Sequence, residues 1–259
     1  MELTREQQDM LAGGHGEAVA YAMRIQAGVG RVFGAGRMVP ITRTHVALSA
    51  QDADLWFVEK MLALGGRCKV SPTVNPSINL SYLNRHLAEI PKAGIDIVTA
   101  TNEAYRKIGA TLTFNCTPYL QQNIPAFGEV IAFSESSATP YVNSVLGART
   151  NRESSQSALC AAITGLVPEY GLLLDENRRA EVLVEVKAKV EDDFDYQLLG
   201  WAYPLKHPGP EIPAFVGIER RPTPEGFMNF GAELNTSGAV ALYHFVGITP
   251  EAPTLEAAF

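Results

Sequence analysis

Residues 128 to 179 constrain this chain more than any other segment. Glu135, Ser136, Ser137, Asn143, Ser144, Arg149, Thr150, Asn151 and Arg152 crowd into it, separated only by small or apolar spacers. Those spacers imply that much of the segment is buried. A buried polar group without a partner costs about 1–3 kcal/mol. The side chains must therefore pair with one another in a rigid network or face a polar ligand, and the residues leave both open. Just upstream, Thr113-Phe114-Asn115-Cys116-Thr117-Pro118-Tyr119 ends an expected strand on a cysteine. A soft sulfur ligand beside a polar pocket points to metal-assisted chemistry on a small oxygenated molecule.

A chain of 259 residues holds one large domain or two small ones, with enough length for a sizeable core. The net charge of −7 argues against non-specific binding to nucleic acid or to an anionic membrane. A local basic pocket from Arg149, Arg152, Arg178 and Arg179 could still hold an anionic substrate. The N-terminus, MELTREQQDM, is too polar for a signal peptide. No apolar run reaches the roughly 18 residues of a membrane helix. The three cysteines, Cys68, Cys116 and Cys160, are too scattered for a disulfide framework, which fits a reducing cytoplasm.

Along the chain, Thr4 and Gln7 predict a capping box at the first helix, stopped by Gly13 and Gly14. A second helix is expected over 17–27, then a flexible glycine-rich connection over 28–36. Its glycine spacing and its place after a helix argue against a dinucleotide loop. A strand over 38–48 carries His45. A helix over 51–64 follows, then a short strand opening at Cys68. Pro72 and Pro76 force extended backbone and predict a polar loop over 71–77, either a place for substrate contacts or a plain Asn-Pro turn. Further helices are expected over 96–108, 136–145, 153–164, 194–203 and 225–236. Strands are expected over 110–116, 181–190, 212–218 and 239–246. Within 181–190, Val182, Val184, Val186, Ala188 and Val190 alternate strictly. A helix beginning near Asn151 or Arg152 would offer its free N–H groups to an anion. The Pro-rich run 203–213 is the candidate for a boundary or a surface excursion. Alternating strands and helices predict an α/β fold with a mainly parallel sheet and flanking helices.

The central stretch also resembles a known family. CTPYL at 116–120, SESSA at 134–138, NSVLGARTNRE at 143–153 and ITGLVPEYGLLLDENR at 163–178 resemble aconitase X, a branch of the aconitase superfamily. LYHFVGITPEA at 242–252 and the pairs Pro72-Thr73 and Asn75-Pro76 are similar to its flanking segments. The resemblance implies an aconitase-like fold and a hydro-lyase with iron or an iron–sulfur cluster at its centre. It implies a small hydroxy acid as substrate, cis-3-hydroxy-L-proline first and mevalonate 5-phosphate as the alternative. It also implies a small subunit as partner. Family members continue past the position matching Phe259 into Gly-Cys-Pro and Asp-Thr-Cys motifs, which this chain lacks. The expectation is therefore the larger N-terminal portion of a large subunit, incomplete at its C-terminus. A third reading is an inactive chain that only binds the small partner.

These implications give the polar residues roles. Cys116 would bind iron as thiolate, with Thr117 and Tyr119 behind it. Glu135, Ser136, Ser137 and Asn143 are candidates for contacting the departing hydroxyl or for orienting the iron site. Arg149, Thr150, Asn151 and Arg152 would grip a carboxylate or phosphate, with Asn75 and His45 next. The competing assignment for Arg149 and Arg152 is an ion-pair network with Glu135, Glu153, Asp175 and Glu176. The turn at 175–178 could be a surface that docks the small part. Cys68 and Cys160 read as inert thiols.

Overall fold

A computed structural model describes residues 1–49, 52–75, 82, 85 and 91–259. Pro76, and positions 51 and 77 at the ends of the expected helix and loop, lie outside the described residues. The chain divides into two compact units. The first comprises Met1–Pro118, Ala132–Ser134 and Glu153–Tyr170; the second comprises Tyr119–Ile131, Glu135–Arg152 and Gly171–Phe259. The expected boundary over 203–213 is not where the division falls, since Tyr203 and Pro204 are buried inside a helix.

In the first unit, helix Arg5–Ala12 opens with the expected box: Thr4 Oγ1 accepts from Gln7 N and Gln7 Oε1 accepts from Thr4 N. The next helix, Glu17–Val32, runs through the glycines expected to form a connection. A Cβ at Gly30 would lie 2.7 Å from Met1 Sδ and 2.9 Å from Pro168 Cβ. Glycine there serves close packing rather than flexibility. The expected strand over 38–48 is two strands in two sheets. β1 (Met38–Pro40) pairs antiparallel with β6 (Leu166–Pro168), while β2 (Arg43–Ala47) joins a four-stranded sheet. Pro40 has no N–H with which to extend the first ladder.

That larger sheet runs β4 (Thr111–Leu112), β3 (Thr73–Asn75), β2, β5 (Ile131–Phe133). β2, β3 and β4 are parallel, with His45 opposite Thr73 and Ala47 opposite Asn75. β3 therefore replaces the expected polar loop, and the strand expected at Cys68 is absent. Cys68 N bonds instead to Ile108 O, at the end of helix Lys92–Ile108. The strand expected over 110–116 stops at Leu112, and Phe114 turns the chain with φ +53°. Val46, Phe57, Met61, Val74, Tyr105 and Leu159 form the core between this sheet and the helices on it.

In the second unit, β7 (Val182–Glu185), β8 (Pro213–Val216) and β9 (His244–Phe245) form a parallel sheet with β8 in the middle. The alternating run over 181–190 makes only four residues of strand. Its partner ends at Val216, where Gly217 turns with φ +85°, so the ladder has nowhere to continue. The strand expected over 239–246 shrinks to two residues. Ala239 caps the preceding helix at φ +61°, and Tyr243 N is taken by Ser144 Oγ at 2.9 Å.

Helices Asp193–Lys206 and Pro224–Gly238 pack on each other so closely at Gly200 that the Phe230 carbonyl leaves no room for a Cβ. Phe215, Phe230, Tyr243 and Phe245 fill the core with ring centroids 4.7–5.5 Å apart. Each such pair adds about 0.5–1.5 kcal/mol beyond its burial. Parallel pairing thus dominates, as expected, but in two separate sheets. No helix among the described residues is long and apolar enough to cross a membrane.

Candidate functional site

In the first unit the parallel strands decide which side chains can meet. Their C-terminal ends share one edge, where open α/β sheets carry ligands. Asn75 closes β3 there beside Ala47 of β2, and Cys116 lies on the segment following β4. Ser49, just past β2, donates from N and Oγ to Asp54 Oδ2 at 2.7 and 2.6 Å, and Ser155 Oγ donates to Oδ1 at 3.2 Å. Asp54 is thereby tied into the scaffold at 3% exposure. His45 sits mid-strand, fully buried, with Nδ1 2.8 Å from Thr73 Oγ1 and its ring 5.7 Å from Phe133. The structure thus places Asn75 at the end of β3, His45 within the sheet, and Cys116 beyond the turn at Phe114 that follows β4.

Cys116 is exposed, whereas Cys160 is buried. Burial pushes the Cys68 thiol up to about 12 and raises that of Cys160 as well, which suits inert thiols. Among the described residues, no three His, Cys, Asp or Glu side chains converge to hold a metal ion. Those residues do not by themselves make an iron site.

The helix expected over 153–164 begins at Ser155, too late for Asn151 or Arg152 to open it. Ser154 Oγ accepts from Ser157 N at 3.0 Å and Ser157 Oγ accepts from Ser154 N at 2.9 Å. The first turn is capped by its own side chains, and Asn151 and Arg152 lie before it.

In the second unit much of the polar stretch pairs with itself. Helix Ala138–Ser144 turns Asn143 inward, with no exposed surface. Its Nδ2 donates to Thr150 O and Ala241 O, each at 3.0 Å, and its Oδ1 accepts from Thr150 N at 3.1 Å. Arg149 donates to Leu173 O at 3.1 Å and pairs with Asp175, one of the ion partners weighed from the sequence. Thr150 Oγ1 donates to Asn151 O at 2.8 Å, and Asn151 Oδ1 accepts from Leu172 N at 2.9 Å.

The expected surface turn over 175–178 is only partly a surface. Asp175, Glu176 and Asn177 are exposed, but Arg178 is buried at 4% exposure. Its fork meets Glu251 through Nε at 2.9 and 3.1 Å and Nη2 at 2.6 Å. It also donates to Leu172 O at 2.8 Å, and to Asn143 O and Ala148 O, each at 3.1 Å.

Glu135, Ser136 and Ser137 stand at the opposite end of the short helix from Asn143 and are not brought to it. Ser136 is exposed, and its carbonyl accepts from Asn235 Nδ2 at 2.9 Å. Glu135 adopts φ +135°, a region that favours glycine. Strain of this kind costs about 1–3 kcal/mol and gathers at functional sites.

Arg152 behaves differently from its neighbours. It is exposed, and it makes no hydrogen bond or ion pair with any described residue. With Asn151, Leu172, Asn177, Glu181 and Leu242 it lines a cleft of about 290 Å³. A second cavity of about 320 Å³ is lined by Arg178, Arg179, Glu251, Glu256 and His244, among others.

His244, 2% exposed, donates from Nε2 to Arg178 O at 2.8 Å, which places its proton there. Its Nδ1 has no hydrogen-bond partner among the described residues. Burial lowers its pKa from the ordinary 6.5. Below about 6.5 the unfolded chain therefore takes up this proton before the folded one, and stability falls as pH drops through that window. Urea melts at about pH 7.5, 6.5 and 5.5 should show that slope, and His244→Gln should flatten it. An unaltered slope would remove His244 from the acid response.

Sequence reasoning underrated Arg178 and missed Glu251 and His244. The one available signal was that all three fall in the motifs shared with a known family. The family models for the Aconitase X first domain and the Aconitase X second domain match residues 1–176 and 180–259. The chain is 41% identical over 257 residues to the phosphomevalonate dehydratase large subunit of Thermococcus kodakarensis, covering 97% of this chain and 63% of that subunit. It is 40% identical over 257 residues to cis-3-hydroxy-L-proline dehydratase of Pseudomonas aeruginosa, covering 97% of this chain and 44% of that enzyme. The crystal structure of Thermococcus kodakaraensis aconitase X in its holo form matches with a TM-score of 0.88 at 39% identity, covering 100% of this chain and 64% of that one. The chain thus spans less than two thirds of each of these proteins. With the two domain models together matching nearly the whole chain and the fold shared at this identity, the chain belongs to the aconitase X family.

Proposed function

We propose that this chain is the large catalytic part of a hydro-lyase that removes water from a small hydroxylated acid in company with a small subunit. The substrate we favour is cis-3-hydroxy-L-proline. The reaction class is supported by relatives named for two dehydratases, and the partner by those named large subunits. Identity does not separate the two substrates, at 41% and 40%. The observation that carries the choice is the cleft at Arg152. Among the described residues it offers a single exposed guanidinium, and the Glu181 carboxylate shares the lining. One arginine fork suits a carboxylate. A phosphate dianion beside a glutamate calls for more positive charge.

The elimination takes a proton from the carbon next to the carboxylate and hydroxide from the carbon after it. Negative charge builds toward the carboxylate as the C–H bond breaks, and a preorganised donor lowers that barrier. Arg152 is proposed to bind the carboxylate, with Asn151 forming the adjoining wall. Asn143, Arg149 and Thr150 hold the loop that presents them, a positioning role. Glu135, Ser136 and Ser137 are proposed at the hydroxyl end, with Asn75 as a further contact; His45, fully buried within the sheet, stays with the scaffold. Cys116 is proposed as one ligand to iron, the remaining ligands coming from outside the described residues.

The test is an assembled enzyme, with small subunit and iron, assayed on both substrates side by side. Arg152→Ala is expected to raise KM for cis-3-hydroxy-L-proline about tenfold or more with a smaller change in kcat, the effect of losing one charge-assisted contact. An unchanged KM would exclude Arg152 from the grip. Preferential turnover of mevalonate 5-phosphate would overturn the substrate choice.

A further inference from the structure

The helix Asp193–Lys206 is apolar on two faces. Tyr196, Gly200 and Tyr203 point into the core. On the outer side Phe194, Leu198, Trp201 and Leu205 are 62%, 43%, 49% and 62% exposed. A helix at a protein surface normally carries one apolar stripe; a second stripe marks a helix that lies between two layers. The outer residues follow the alternating four–three–four spacing of a coiled-coil seam.

That spacing reads the same in both directions. If a second copy of the helix is laid antiparallel across the first, Phe194 meets the other copy's Leu205 and Leu198 meets its Trp201. Both contacts then occur twice about the axis, each joining a larger ring to a leucine. The charges follow the same symmetry. Exposed Asp192 caps the start of the helix and exposed Lys206 ends it. Antiparallel pairing brings each Lys206 toward the other copy's Asp192 and sets the two helix dipoles in opposite directions, each positive end beside the other's negative end. Such self-complementarity is what an isologous two-fold contact requires.

We propose that this face joins two copies of the chain, helix Asp193–Lys206 against its symmetry mate. The four side chains expose on the order of 400 Å² per copy, about half of what a standard interface contributes per partner. The dimer is therefore weak and concentration-dependent, with a dissociation constant around micromolar or above.

The test is sedimentation equilibrium of the full chain from about 1 to 200 µM. The expected result is a reversible monomer–dimer equilibrium. Trp201→Asp should weaken it about thirtyfold or more, the effect of charging a central aromatic, and leave the unfolding midpoint close to that of the parent. A covalent check does not depend on affinity. In a Cys116→Ser background, Phe194→Cys with Leu205→Cys should cross-link on mild oxidation, while Phe194→Cys alone should not. A chain that stays monomeric throughout, or a dimer indifferent to Trp201→Asp, overturns the proposal. So does a stripe that becomes protected only when a different polypeptide is added, which would give the face to that partner.

Discussion

Arg178→Ala is expected to lower the stability of the second unit by about 3–5 kcal/mol, the cost of breaking a buried ion pair by removing one partner. The magnitude follows from what is left behind. Glu251, at 16% side-chain exposure, loses the guanidinium that meets it three times. The carbonyls of Leu172, Asn143 and Ala148 lose a charged donor in the same step. Arg178→Lys keeps the charge but not the planar fork, so it should recover only part of the loss. Trp201 lies in the second unit and Trp56 in the first, so fluorescence in denaturant, with the other tryptophan replaced, reads each unit separately. A cycle with Glu251→Gln isolates the pair. A loss under about 1 kcal/mol, within the range of exposed ion pairs, would mean that the guanidinium does not bind the loops together.

Asn143→Ala is expected to cost about 3 kcal/mol. The amide is fully buried and serves three backbone groups at once, and each group left unsatisfied costs about 1–3 kcal/mol. Asn143→Asp is the more telling variant. Its shape is retained, but Nδ2, which now donates to two carbonyls, becomes an oxygen facing them. The aspartate should therefore be no better than alanine at neutral pH and should regain stability as it protonates in acid. Hydrogen exchange at the Thr150 amide, which donates to Oδ1, should speed up in the alanine variant. An aspartate as stable as the parent at neutral pH would disprove this orientation of the amide.

The parts legible in the sequence are those decided by near neighbours. The Thr4–Gln7 capping box and the helices near 51–64, 96–108, 194–203 and 225–236 follow from local periodicity and caps, and the structure has them. Strand ends depend on a partner far away. The valine alternation continues to Val190, yet β7 stops where β8 stops, and no local signal carries that limit. Arg178 shows the same gap at the site. A charged residue in the polar run DENRR reads as solvated, and only Glu251, 73 positions later, makes its burial affordable. The doubled reading of the central stretch, network or ligand, divides by residue. Asn143, Arg149 and Thr150 are bound into the scaffold, and Arg152 faces a cleft.

The three cysteines differ in a way that matters to anyone handling the protein. Alkylating reagents attack thiolates. At neutral pH a thiol raised to about 12 presents on the order of one part in 10⁵ in that form, and Cys160, fully buried, is more reluctant still. Cys116 alone of the three lies exposed, on the segment that follows β4. A maleimide dye or spin label added briefly at neutral pH should settle there, giving the native chain a built-in reporter for whatever approaches that edge of the sheet.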